Sequence, residues 1–201
     1  MSNTKEHILF TALKLILRKG YGNLTMNELV VSTGLSKGAF YHYFKSKDQI
    51  YYETLDMYFF SYMASFNLNY DHDKSFKENI AELTDMFIGF VKKISALIGD
   101  DNSLINYYQT LLDAAIRSHE IKLKMQNYYE YYINEITHWI QIAQENLEIS
   151  ENLDAKILSK HISALLEGIM IIFSFQDKEK DIKIYLNEIF HQFLTIILNT
   201  K

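Results

Sequence analysis

Apolar residues recur at three- and four-residue spacing along nearly the whole chain, the period of an amphipathic α-helix. From Asn3 to Lys19, Ile8, Ala12, Leu15 and Ile16 fall on one face, Asn3 and Glu6 have capping-box spacing, and Gly20 follows as a stop. Thr25-Met26-Asn27-Glu28 is a second capping box. It opens a short stripe of Met26, Leu29 and Val30 that Thr33-Gly34 closes. Ser36 starts a third short helix that runs to about Phe44. Ser46-Lys47-Asp48-Gln49 opens a longer one, from Asp48 to about Phe66. Residues 67–74 read as a polar loop. The pattern then predicts five further helices, over 75–98, 103–118, 119–146, 154–175 and 181–198. The clearest breaks between them are 99–102 and 176–180.

Composition narrows the fold class to all-α. Among 201 residues there is no proline and there are only seven glycines, too little punctuation for a sandwich, a barrel or an α/β fold. Cysteine is absent, which excludes disulfides, zinc fingers, iron–sulfur clusters and cysteine nucleophiles. The N-terminus has no uninterrupted apolar stretch, and the charge-free run 189–200 is shorter than the ~20 residues of a membrane span. A cytoplasmic protein with no membrane partner is the expectation.

Charge divides the chain. Residues 1–48 hold seven Lys and Arg against three Asp and Glu, a net of +4, so the total of −5 leaves −9 on residues 49–201. No acid stands between Leu29 and Lys47. A basic head on an acidic body suggests a nucleic-acid-facing end and a different task for the rest. The expected division is 1–48 for the head and 49–201 for the body.

Two short helices joined at Gly34 make a helix-turn-helix candidate. At about 100° per residue, Lys37, Gly38, Tyr41, His42 and Lys45 share one arc, and Ala39, Phe40, Tyr43 and Phe44 the opposite one. The apolar arc suits packing against the first two helices, and the cationic arc suits a DNA groove. Lys37 brings charge, Gly38 permits close backbone approach, and Tyr41 and His42 can contact phosphates or base edges. Thr25 and Lys47 stand at helix N-termini, where an anion is favoured. Each residue alone also fits an ordinary surface or cap position. The segregation of faces and the acid-free window together favour the DNA reading.

These residues resemble the DNA-binding domain of the tetracycline-repressor-like (TetR) family. The resemblance runs through Thr25-Met26-Asn27-Glu28-Leu29 and then Thr33-Gly34-Leu35-Ser36-Lys37-Gly38-Ala39-Phe40-Tyr41-His42-Tyr43-Phe44-Lys45-Ser46-Lys47-Asp48-Gln49. Upstream, the run from Ile8 to Gly20-Tyr21 is similar to the family's first helix and the Gly-aromatic pair after it. One departure is Val30-Val31-Ser32-Thr33, where members often carry smaller residues. The resemblance implies three DNA-binding helices and a body of about six. It implies a homodimer on a near-palindromic double-stranded operator, usually a repressor, released by a small molecule bound in the body. By the same match, Thr25, Ser36, Lys37, Gly38, Tyr41, His42 and Lys47 take DNA contacts, and Phe40, Tyr43 and Phe44 take core roles. The helix opened by Ser46 would be the lever between head and ligand.

Enzyme readings are weaker. Gly34-Leu35-Ser36-Lys37-Gly38 fits G-x-S-x-G, but a serine hydrolase using Ser36 needs a strand before the serine and several strands upstream. Asp71-His72-Asp73 has metal-ligating residue types, though a polar surface loop is the better reading. No cofactor motif, metal site or catalytic constellation is expected.

In the body, the last two predicted helices are apolar over more than one stripe, which calls for a second cover. Ile162, Leu166, Ile169, Phe173, Ile189, Phe193 and Ile197 are the expected dimer-interface residues. Tyrosine is unusually frequent, at 15 residues. Tyr107, Tyr108, Tyr128, Tyr131 and Tyr132 are candidate walls of a ligand pocket, with Asp113 and Glu167 as polar anchors. Half-buried core and surface salt bridges are the competing assignments. A DNA-binder of the same fold without a small-molecule ligand is the alternative function.

Overall fold

The computed structural model describes residues 3–65, 68–98, 103–175 and 181–198. Its helices are α1 (Asn3–Lys19), α2 (Met26–Thr33), α3 (Lys37–Tyr43), α4 (Lys47–Met63), α5 (Phe76–Ile98), α6 (Ser103–Arg117), α7 (His119–Glu145), α8 (Ala155–Phe173) and α9 (Ile182–Ile197). Within α4, Lys47–Leu55 passes through a wider π turn, Asp56–Phe60, before Ser61–Met63. Among the described residues the only β feature is an isolated antiparallel bridge between Ile149 and Leu198. The fold is all-α. Phe66, Asn67 and the predicted breaks at 99–102 and 176–180 lie outside the described residues.

The short helices are fixed by their caps. Thr25 Oγ1 accepts from Glu28 N, Ser36 Oγ from Ala39 N and Ser46 Oγ from Gln49 N, at 3.1–3.2 Å. Gly34 ends α2 at φ +69°, a left-handed conformation that glycine adopts without strain. Helices of seven and eight residues are too short to persist alone, so these caps and the aromatic residues beneath them hold the head.

The chain groups into two compact units, residues 1–66 with 94–117, and 67–93 with 118–201. In the first, α1 buries Ile8, Leu9, Ala12, Leu13, Ile16 and Leu17. That stripe is broader than predicted, and Leu15 sits half-buried beside it. Phe40, Phe44, Leu55 and Phe59 are likewise inside. Tyr51 of α4 donates to the Thr110 carbonyl of α6 at 3.0 Å, and Phe59 stacks on Tyr107 at 5.0 Å and 3°.

In the second unit, α7 packs along α8, and Thr137 Oγ1 meets Ser159 Oγ at 2.8 Å between them. Trp139 Nε1 donates to the Leu68 carbonyl at 2.9 Å. Buried Asn79 accepts from Asp71 N and donates to the Asp71, Lys74 and Ser75 carbonyls, fixing the loop before α5. Asp71 in that loop accepts from Asp73 N and pairs with Lys74. Among the described residues no group of three or more His, Cys, Asp or Glu could hold a metal, and no helix is long and apolar enough to cross a membrane.

The last two helices use their apolar faces differently from the expectation. Ile162, Leu166, Ile169 and Ile197 are at most 7% exposed. The unit's own packing covers them, which takes them off any surface that a partner could reach. Phe173, Ile189 and Phe193 are half-buried. The exposed apolar positions lie on a second stripe of α8, Ile157, Ile171 and Ile172, with Phe175 just beyond its end and Ile184 and Ile196 on α9. Spacing established two apolar stripes per helix, and the stronger one went to the chain's own core.

Candidate functional site

The face of α3 is set by two rings. Phe40 and Phe44 are fully buried, each worth roughly 1.5–3 kcal/mol of burial. They turn Lys37, Gly38, Tyr41 and His42 outward, and all four are exposed. Ala39, expected on the inner arc, is exposed as well, and Tyr43 is half-buried. A Cβ built on Gly38 meets no protein atom within 4 Å, so the fold itself does not require glycine there. Tyr41 keeps its ring edge-on to Phe40 at 5.8 Å, and Lys45 Nζ donates to the Tyr41 carbonyl. On α2, Val30 is buried and Val31 is 72% exposed, so the bulk that departs from the family pattern points partly to solvent.

Thr25 and Ser36 use their side-chain oxygens as cap acceptors, which leaves each hydroxyl proton to donate outward. Ser36 follows a helix rather than a strand, so it lacks the elbow that a hydrolase needs. Lys47 is placed differently from the other cations of the head. Its ammonium donates to the Tyr21 and Leu24 carbonyls at 3.0 and 2.8 Å and lies 4.2 Å from the Tyr21 ring centre. It fastens the turn between α1 and α2 with two of its three protons.

Tyr21, which spacing alone did not single out, is the hub beneath this surface. Its phenol donates to Asp48, its ring stacks on Tyr51 at 4.3 Å, and the Arg117 guanidinium lies 5.0 Å away. Burial, then the Asp48 hydrogen bond, pushes the phenol well above its ordinary pKa. The aromatic after Gly20 was the available signal. Arg117 is too distant in sequence for spacing to find. His7 Nε2 meets the Thr33 carbonyl at 3.0 Å and ties α1 to the end of α2.

The expected pocket residues fall into separate settings. In the first unit, Tyr107 is buried on Phe59, Tyr108 is half-buried, and Asp113 pairs with Arg117 at 2.8 Å near the surface. In the second, Tyr132 is buried, Tyr128 is half-buried and stacks on it at 6.3 Å, and Tyr131 is 50% exposed. Ile136, Trp139 and Ile140 centre the inner face of α7. At about 100° per residue, that rotation turns Tyr131 outward and brings in Tyr129, whose phenol donates to Glu167 at 3.1 Å.

Residues 8–54 match the model of the bacterial regulatory proteins, tetR family. NemR, a transcriptional repressor of Escherichia coli, is 35% identical over 60 residues, which span 30% of this chain and 30% of NemR. The fatty acid metabolism regulator protein of Bacillus subtilis is 23% identical over 192 residues, covering 96% of this chain and 94% of that protein. Over the full length of both chains, the fold is similar to a transcriptional regulator of Saccharomonospora viridis solved in complex with choline, with a TM-score of 0.73 at 19% identity. With the capped helix pair, its outward cationic face and these likenesses in hand, residues 8–54 are a tetR-family domain of the bacterial regulatory proteins.

Proposed function

We propose that this chain is a transcriptional repressor that binds a near-palindromic DNA operator as a homodimer and is released by a small molecule held in its body. The observation that carries the DNA part is α3, whose buried Phe40 and Phe44 leave Lys37, Gly38, Tyr41 and His42 exposed together. Thr25 and Ser36 add outward hydroxyl donors beside that face. Such groups position a helix on phosphates and read base edges in the major groove. Lys47 contributes through the turn it holds and has one proton left for a phosphate.

The dimer is supported by the exposed stripe of α8 and α9, where Ile157, Ile171, Ile172 and Ile196 join half-buried Phe173, Ile189 and Phe193. A helix face this apolar needs a cover. Ligand control is supported by the choline complex of the S. viridis regulator and by the buried tyrosines of α7.

The test is operator footprinting with Gly38→Ala. The added methyl meets open space in the chain and improves helix propensity, so stability holds or rises. Operator affinity should fall, because the methyl stands where the DNA backbone or bases approach. Unchanged affinity would remove α3 from the groove.

A further inference from the structure

A groove of about 410 Å³ runs between α5 and α9, within the second unit, a volume in the range of small-molecule sites. Ile80, Thr84, Phe190 and Leu194 form its buried floor, and Lys77, Asn187, Glu188 and His191 stand exposed along its walls. Lys183 of α9 pairs with Asp85 of α5 at 2.9 Å, just past the end that Thr84 and Asn187 line. The two helices therefore run antiparallel, and the pair fixes their levels. Asn187 stands opposite Ala81, four residues from the pair on each helix, and His191 opposite Lys77, eight residues from it on each. That is about 12 Å along, at 1.5 Å per residue. Glu188 lies one turn of α9 before His191. The charges that border the groove are paired, Lys183 with Asp85 and Lys74 with Asp71 and Glu82. Those on its walls are not. Among the described residues, the side chains of Lys77, Asn187, Glu188 and His191 have no hydrogen-bond or ion-pair partner.

We infer that this groove binds a free α-amino acid with an apolar side chain. The ligand carboxylate is received between the Lys77 ammonium and the His191 ring, donors on facing helices. The ligand ammonium is received one turn away by the Glu188 carboxylate and the Asn187 side-chain carbonyl. The apolar side chain lies on Ile80, Phe190 and Leu194. Charge complementarity selects this class. A simple carboxylate meets Glu188 as a like charge, and a simple amine meets Lys77 as one. A ligand that carries both signs close together pairs with both walls. In a peptide the two terminal charges stand a chain length apart, whereas a free α-amino acid carries both on one carbon. The proposed dimer leaves the site open. At about 100° per residue, Asn187 and His191 face one flank of α9, and Ile189 and Phe193 the other. The assignment goes beyond the proposed function, uses none of the α7 tyrosines, and stands whether or not the chain is a repressor.

The experiment is NMR titration of the full, isotope-labelled chain, following the backbone amides of residues 77–84 and 187–194. The probes are L-leucine, its deaminated analogue 4-methylpentanoate, its decarboxylated analogue 3-methylbutylamine, and glycine, which lacks the apolar side chain. Leucine should shift both segments and bind about tenfold or more tightly than each of the other three. Lys77→Gln should narrow the preference for leucine over the amine and keep its preference over the carboxylate. Glu188→Gln should do the reverse. Both side chains are exposed, so circular dichroism and melting should be unchanged in either variant, and a general loss of structure would not shift selectivity in two opposite directions. Equal binding of leucine and either single-charge analogue would overturn the inference. So would shifts confined to other segments, unchanged selectivity in either variant, or no response to leucine at millimolar concentration.

Discussion

Two capping boxes of the same form open helices in the two units, yet the helices that follow are held by different means. Thr25 and Glu28 start a helix of eight residues, and Ser75 and Glu78 start one of 23. The first has too few turns for an extended apolar stripe. It depends on its cap, on Gly34 and on the rings packed beneath the head. The second runs long enough for periodicity to bury Ile80, Leu83, Phe87, Ile88 and Phe90, and its cap only sets where it begins. Local chemistry specifies the head, and repeated apolar spacing specifies the body.

The largest test of that contrast is Phe40→Ala. Phe40 is fully buried in a helix of seven residues, and its loss should cost about 3–5 kcal/mol and abolish operator binding. In the body, Tyr131→Ala removes an equally large ring that is 50% exposed and should change stability by less than about 0.5 kcal/mol. Urea melts of both variants measure this. Similar losses would mean that the exposed tyrosine is part of a packed surface after all.

Assembly comes next. Ile172 is 50% exposed and Ile162 fully buried, one helix offering an outer and an inner stripe. Ile172→Asp should leave a folded chain that sediments as a monomer, because the charge is solvated in the monomer and unpaired in an interface. Ile162→Asp should unfold the unit instead. If Ile172→Asp remains a dimer at micromolar concentration, the outer stripe is not the interface.

This same helix shows what the sequence revealed and where it stopped. Element boundaries were legible to within a few residues, since Thr25, Ser36, Ser46, Asp154 and Asp181 all cap as side-chain acceptors. The face of α3 was legible because only two of its rings reach the core. Facing in α7 and α8 was not. These helices, and α9 with them, carry apolar residues over much of the circumference, so spacing leaves the rotation open: Tyr131 of α7 turns outward, and Ile162, Leu166 and Ile169 of α8 and Ile197 of α9 turn into the core. The Tyr21–Asp48–Arg117 cluster was hidden because Arg117 joins it from a helix far along the chain. The π turn at Asp56–Phe60 has no sequence signal comparable to a cap.

Two lysines of the head sharpen the contrast between holding a surface and presenting one. Lys37→Ala should lower the salt slope of operator binding by about one unit with little change in melting. Lys47→Ala removes two hydrogen bonds from an ammonium to the Tyr21 and Leu24 carbonyls. Hydrogen bonds to charged groups contribute about 1.5–3 kcal/mol, so Lys47→Ala should lower stability first and affinity in consequence. A variant of Lys47 with full stability and a reduced slope would return it to the DNA surface.

The smallest effect lies in the capping boxes themselves. Both glutamates titrate below the ordinary carboxyl range, but for different reasons. Glu28 is lowered chiefly by the hydrogen bond from Lys19, and Glu78 chiefly by the Ser75 hydroxyl and then its N–H. A carboxyl depressed in the folded state contributes stability that is complete above its unfolded pKa, about 4.3. That contribution is lost as pH falls through the folded value. Each box should therefore weaken only in acid, and Gln at either position should flatten the acid limb of the melting curve without touching the neutral one. Salt then tells them apart. At 1 M the screening length is about 3 Å, so the Glu28 titration should move back toward its unperturbed value. Glu78, held by a neutral hydroxyl and an amide, should barely move. Carboxyl chemical shifts followed by NMR from pH 7 to 3 at low and high salt measure both in one sample. If the two residues respond to salt alike, the charge of Lys19 is not what holds the head's box, and this part of the contrast between the units is lost.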